Sequence, residues 1–195
     1  MSERQTVIRS MHDIGLAAWF GGSLFGAVGL NGASAAVSDP GDRTHVATAG
    51  WARWAPVNAA ALAVHSIGGV GLILGNRGRV AAQAGTRGNT FLKAGLTLVA
   101  MGVTAYSGLQ GAKLGKDSHA PAASGVDPSE GTPAEIAAAQ RKLKVLQWSI
   151  PALTGVLLVM GAQQGEQQKA SEVGKGLLKT GVTAKAGSLL GAAKG

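Results

Sequence analysis

Four stretches of this chain run for about twenty residues each with almost no charged side chain, a pattern that leaves few folds open. A helix needs ~20 mostly apolar residues to cross the ~30 Å hydrocarbon core of a bilayer. Hydropathy predicts such spans at 14–37, 55–75, 94–112 and 145–162. In lipid, backbone N–H and C=O groups must find partners inside the protein, and a single segment does so only as a helix. The expected fold is all-α: an integral membrane four-helix bundle with short loops over residues 1–163, then a flexible Gly-, Ala- and Lys-rich cytoplasmic tail over 164–195.

Composition agrees. Only 14% of residues are charged, against about 25% in a soluble protein. The net charge of +8 would suit nucleic acid, but the basic residues sit at the ends of the apolar runs, where the flanks of membrane spans belong. Aromatic residues able to stack on bases make up only 4% of the chain. The expected partner is the lipid bilayer, and no nucleic acid. Cysteine is absent, which removes disulfides, thiolate metal sites and cysteine nucleophiles.

Orientation follows from Lys and Arg on the two sides of the spans. Arg4, Arg9, Arg77, Arg79, Arg87, Lys93 and the tail lysines outnumber Arg43, Arg53, Lys113, Lys116, Arg141, Lys142 and Lys144. The bias predicts a multi-pass protein of the cell (inner, cytoplasmic) membrane with both termini cytoplasmic. An alternative for the first span is a secretory signal peptide, with Arg4 and Arg9 ahead of it and Ala33-Ser34-Ala35 as a cleavage site. Its apolar run exceeds the 7–15 residues usual for such a peptide.

The third loop is the longest. Residues 117–131 lack apolar periodicity and read as irregular chain open to the outside. Thr132-Pro133-Ala134-Glu135 then has the form of a capping box with Pro at the first helical position. It predicts an extramembrane helix over 133–144 continuous with the fourth span, its stripe of Ile136, Ala139, Leu143 and Leu146 facing protein. Pro151 is expected to kink that helix, and Pro56 stands just inside the start of the second span.

Small residues recur at helix-packing spacing: Gly22 and Gly26, Gly71 and Gly75, Ser107 and Gly111, Gly161 and Gly165. Such spacing lets helix backbones approach closely in lipid. Two histidines lie near or inside the membrane. His12 is expected at the cytoplasmic mouth of the first span and His65 midway along the second, ~15 Å apart in depth. Ionisable residues there mark functional sites by default; a neutral, hydrogen-bonded His65, metal or haem ligation, and a proton relay all fit the residue type. Trp51, Trp54 and Trp148 suit anchoring at the outer interface, and Trp19 does not, since it falls inside a span. Acidic residues are confined to loops and tails, and no catalytic constellation stands out, so an enzyme is not expected.

The run MHDIGLAAWFGG, carrying His12, Trp19, Gly21 and Gly22, resembles the first helix of the copper-resistance D family and of related four-helix membrane proteins. The resemblance covers about fifteen residues and implies a four-helix bundle and, for the copper-resistance relatives, a part in copper passage. From the residues themselves, the leading expectation is a structural or accessory component without a cofactor, packing with a membrane-protein partner or with itself in a larger assembly. The alternative is a protein that handles a small solute, copper or haem through His65 and His12.

Overall fold

The computed structural model describes residues 3–77, 84–117 and 119–167; most of the expected tail lies outside the described residues. Met1–Leu158 form one compact unit and Val159–Gly195 a second. Helix α1 spans Glu3–Phe25 and continues through a π-helical turn, Gly26–Leu30, into a last α-helical turn, Asn31–Ser34. Helix α2 spans Pro40–Gly75, α3 Ala84–Leu114 and α4 Ala134–Gln167. Each contains a stretch long and apolar enough to cross a membrane: Gln5–Ser34, Pro40–Gly75, Arg87–Leu114 and Ala134–Gln163. The fold is the expected all-α four-helix bundle.

Every helix starts ten or more residues before its hydropathic span. Hydropathy marks where a helix meets hydrocarbon, whereas backbone hydrogen bonding continues into the polar flanks for as long as the residues tolerate it. Helix α2 shows the difference. Asp39 caps it by accepting from Gly41 N at 2.8 Å, and Pro40 takes the first helical position. Pro56, expected at the start of a span, therefore lies inside the helix, as does Pro151 in α4. Each withholds a donor from the carbonyl four residues earlier.

The distribution of polarity is inverted relative to a soluble protein. Large apolar side chains face outward on all four helices, among them Ile14, Phe25, Val57, Ile67, Phe91, Leu98, Leu109 and Val145. Asn31, Thr44, His65, Gln140, Gln147 and Thr154 are buried. Such a surface is stable against hydrocarbon and costly against water. The protein is a multi-pass membrane protein. Its central apolar cluster joins Leu16 and Trp19 of α1, Ala100 of α3, and Ile150 and Leu157 of α4.

The loop between α3 and α4 is irregular and is fastened to the helices. Ala122 N donates to Pro40 O at 3.1 Å. Arg43 reaches back with Nε to Val37 O at 2.8 Å and with Nη1 to Ala122 O at 3.2 Å. Gly125 N donates to Ser34 Oγ at 2.8 Å, and Ala122, Ser124, Gly125 and Val126 are buried. Asp127 closes the turn, accepting from Ser124 Oγ at 2.8 Å and Lys144 Nζ at 2.5 Å. Burial alone would raise its carboxyl, but those two hydrogen bonds and the Lys144 charge outweigh it and hold the group below the usual carboxylate value. Thr132 does not form the expected capping box. Its hydroxyl donates to Pro121 O and accepts from Ser129 N, so it fastens the loop instead of the helix. The stripe on α4 faces this same chain: Leu143 packs with Leu114 and Val126, flanked by Ile136 and Ala139.

Candidate functional site

Helices α1 and α2 run antiparallel at the closest approach a helix pair allows. As numbering rises along α1 it falls along α2: Ile8 meets Gly71, Gly15 meets Ala61 and His65, Gly22 meets Trp54, and Gly26 meets Trp51. A Cβ on Gly15 would lie 2.6 Å from both Ala61 O and His65 N. One on Gly68 would lie 2.4 Å from His12 N and 2.8 Å from Ile8 O. Only hydrogen fits where backbone meets backbone this closely. Gly22 and Gly26 receive the six-membered rings of Trp54 and Trp51, with indole carbons 1.9 Å and 2.2 Å from where their Cβ atoms would be. Two of the three indoles expected at the membrane interface thus also pack α1 against α2. Trp148 is 47% exposed. Gly75 is a looser contact, its Cβ position meeting only Gln5 Nε2 at 3.9 Å, and Gly161 belongs to the second unit.

At the glycine crossing the two histidines come together. Their rings stack with centroids 4.0 Å apart and 20° between planes. His12 Nδ1 lies 3.0 Å from His65 O, and His65 Nδ1 lies 2.9 Å from His12 O. A carbonyl oxygen only accepts, so both Nδ1 atoms donate and each neutral ring keeps Nε2 as a bare acceptor. The expected ~15 Å separation in depth is overturned. It followed from starting the first helix at residue 14, whereas the helix starts at Glu3 and holds His12 well inside it. Acidic residues were expected in loops and tails alone, yet Asp13 stands on α1 beside His12, within the stretch long and apolar enough to cross a membrane.

The crossing has an internal symmetry. His12-Asp-Ile-Gly15 and His65-Ser-Ile-Gly68 share the pattern His-x-Ile-Gly. Each glycine seats the other helix's histidine backbone and the carbonyl four residues before it, so a pseudo-two-fold axis passes between the rings. The signal was present in the sequence as a four-residue repeat and was missed.

Trp19 explains itself in the same region. It is fully buried, sits edge-on to His65 with centroids 6.1 Å apart, and donates from Nε1 to Thr104 Oγ1 at 3.1 Å. Of the other residues in the MHDIGLAAWFGG run, Gly22 holds Trp54, while a Cβ on Gly21 would meet nothing within 4 Å. Stacked rings 4.0 Å apart leave no space for a porphyrin between them. Among the described residues no group of three or more His, Cys, Asp or Glu gathers to hold a metal ion.

Beside this crossing lies an open cavity of about 600 Å³, with Ala55, Ala59, Ala105 and Gly108 exposed along it. Trp51, Trp54, Asn58 and Leu62 of α2 form one wall, and Met101, Thr104, Ala105, Gly108 and Gly111 of α3 the opposite one. Leu143, Gln147 and Ile150 of α4 close a third side, and Gly125 of the loop caps one end. Small residues on α3 make the space: a Cβ on Gly108 would meet nothing within 4 Å, and one on Gly111 only Leu143 Cδ2 at 4.0 Å. Ser107 and Gly111, read as a packing face, both line this cavity.

A buried polar network braces the end of the bundle where α1 stops and α2 begins. Asn31 Nδ2 donates to Gln147 Oε1 at 2.6 Å and Trp51 Nε1 donates to Asn31 Oδ1 at 3.1 Å, joining α1, α2 and α4. Ser34 Oγ donates to Asn31 O at 2.7 Å and so ties the loop contact to the same residue. The π-helical turn just before Asn31 shifts the phase of α1 there. Among the described residues, two lining side chains carry buried polar atoms with no hydrogen-bond partner, Trp54 Nε1 and Asn58 Oδ1. No family model, curated relative or solved structure matches the chain.

Proposed function

We propose that this protein handles a small solute within the membrane, holding it in the cavity between α2, α3 and α4. The observation that carries this reading is the cavity itself: about 600 Å³, within the 300–1,000 Å³ range of ligand sites, mostly apolar and dotted with a few polar groups. Small residues, Ala105 and Gly108 among them, leave this space open where larger side chains would fill it. The accessory role draws less support, because the faces that would serve a partner are used at home. Gly22, Gly26 and Gly71 hold Trp54, Trp51 and Ile8, and the stripe on α4 covers Leu114 and Val126. Copper handling at His12 and His65 would have to proceed through the Nε2 atoms, since both Nδ1 atoms are committed to carbonyls.

Gly108→Leu tests the reading. The new side chain enters open space, so the bundle should keep its helicity and melting temperature while the cavity fills. Native mass spectrometry of protein released gently from membranes should show a bound small molecule on the wild type and lose it in the variant. Equal retention by both proteins would remove the cavity as the binding site.

The same reading places both termini on the cytoplasmic side, supported by the excess of Lys and Arg in the N-terminus, second loop and tail. Single cysteines at Glu130 and Arg77, both exposed positions, report it in this cysteine-free chain. An impermeant maleimide on intact cells should label position 130 and spare 77. The reverse pattern would invert the topology.

A further inference from the structure

The cavity is open on one side, and the depth of that opening decides what can reach it. Ala55 and Ala59 of α2 and Ala105 and Gly108 of α3 line the space and are exposed along it. Helix α2 has 36 residues, ~54 Å at 1.5 Å per residue. A hydrocarbon core of ~30 Å set anywhere along it covers the stretch ~24–30 Å from Pro40, and Ala59 stands ~28 Å from Pro40. The opening at Ala59 therefore faces lipid chains and not water.

The wall suits that medium. Among the described residues lining it none is ionisable, so a charged guest would lose its hydration and find no counter-charge. Much of the wall's polarity is already engaged inside the protein. Thr104 Oγ1 donates to Ala100 O at 2.8 Å and accepts from Trp19 Nε1. Ser23 Oγ donates to Phe20 O at 3.0 Å, and Asn31 and Gln147 are bonded to each other.

The space is also drawn out along the helices. Its lining residues run from Ala47 to Leu62 on α2, ~22 Å of helix, and from Met101 to Ala112 on α3, ~16 Å. About 600 Å³ spread over such a length leaves a cross-section of ~30 Å². A helix 10–12 Å across with its side chains needs ~80 Å² or more. One extended chain fits where a whole helix does not.

Resting on the reading of the cavity as a binding site, we propose that its guest is the hydrocarbon chain of a membrane lipid, which enters sideways from the bilayer between α2 and α3. The chain lies along the helices and reaches Leu62 and Met101, which line the cavity and pack against the central apolar cluster.

Photolabelling from within the bilayer tests this. The full chain is placed in phosphatidylcholine vesicles containing a trace of phosphatidylcholine with a diazirine midway along one acyl chain. After irradiation, adducts are mapped by digestion and mass spectrometry. Leu98 and Leu109, which face outward on α3, should be labelled as any lipid-facing residue is. Leu62 and Met101 should be labelled too. Ala59→Leu combined with Gly108→Leu narrows the opening from both sides, and should lose the adducts at Leu62 and Met101 while keeping those at Leu98 and Leu109. If the double variant fails to fold, Ala59→Leu alone, at an exposed position, carries the same comparison. A water-soluble diazirine carboxylate should label neither Leu62 nor Met101.

Adducts at Leu98 and Leu109 alone would overturn the lipid chain, as would inner adducts that persist when the opening is narrowed. Labelling of Leu62 and Met101 by the carboxylate would overturn entry from the bilayer. If the wild type in those cases still carries a bound mass that Gly108→Leu loses, the cavity binds another solute and only the present proposal falls. Equal retention of that mass by both proteins removes the underlying reading as well.

Discussion

Gly68→Ala is expected to force α1 and α2 apart and to destabilise the folded protein by about 1–3 kcal/mol. The added carbon would lie 2.4 Å from His12 N, 2.8 Å from His12 Cα and 2.8 Å from Ile8 O. All three are backbone atoms of a helix, so no rotamer change relieves them; one helix has to move. The substitution also removes a helix-disfavouring glycine, worth ~1 kcal/mol in the opposite direction, and the clash outweighs it. Gly15→Ala should behave alike, since its contacts at 2.6 Å are equally rigid. Gly21→Ala on the same helix is the control: it meets open space and should be neutral or slightly stabilising. Thermal unfolding in detergent measures all three. Equal melting temperatures for Gly21→Ala and Gly68→Ala would mean that the helices do not cross where described.

The second large effect concerns the reciprocal histidines. His65→Leu removes one interhelical donor and the ring against which His12 stacks, and it exposes Trp19 to a poorer partner. Interhelical hydrogen bonds inside membrane proteins average ~0.6 kcal/mol and reach ~1.7, so with the lost packing either single substitution should cost about 2 kcal/mol. The two bonds share one crossing, so a shift that breaks the first lengthens the second. His12→Leu with His65→Leu should therefore cost clearly less than the two singles added together. Strict additivity in the double-mutant cycle would show that the bonds act independently and that the crossing is fixed by the glycines alone.

Much of this architecture was legible because it rests on local quantities. The number and type of the helices follow from hydropathy, and continuity of α4 from Glu135 to the fourth span follows from the lack of a breaker there. The pairing of His12 with His65 was not legible, because it depends on the register between two antiparallel helices. Gly15 and Gly68 set that register, and hydropathy is blind to it. A helix start misplaced by eleven residues moved His12 to the wrong depth. Trp51 and Trp54 were assigned to the interface by residue type, which carries no sign of the seats that Gly22 and Gly26 give them on the facing helix. The cavity escaped for a plainer reason. Ala105, Gly108 and Gly111 mark it by lacking side chains, and the same residues would mark a tight packing face had α4 stood closer.

The paired His-x-Ile-Gly segments bear on how the chain finds this arrangement. Turning the α1–α2 pair end over end about the axis between the rings reproduces the central contact, with His12 and Gly15 exchanged for His65 and Gly68. That contact holds the helices together and leaves the two ends ambiguous. The choice has to be made elsewhere, and among the described residues the interface is lopsided where the C-terminal half of α1 meets the first half of α2. There Gly22 and Gly26 accept indoles from α2, while at the other end Gly71 and Gly75 of α2 meet only Ile8 and Gln5. The histidine crossing is thus an adhesive, and the two tryptophans are the key that says which way round it is applied.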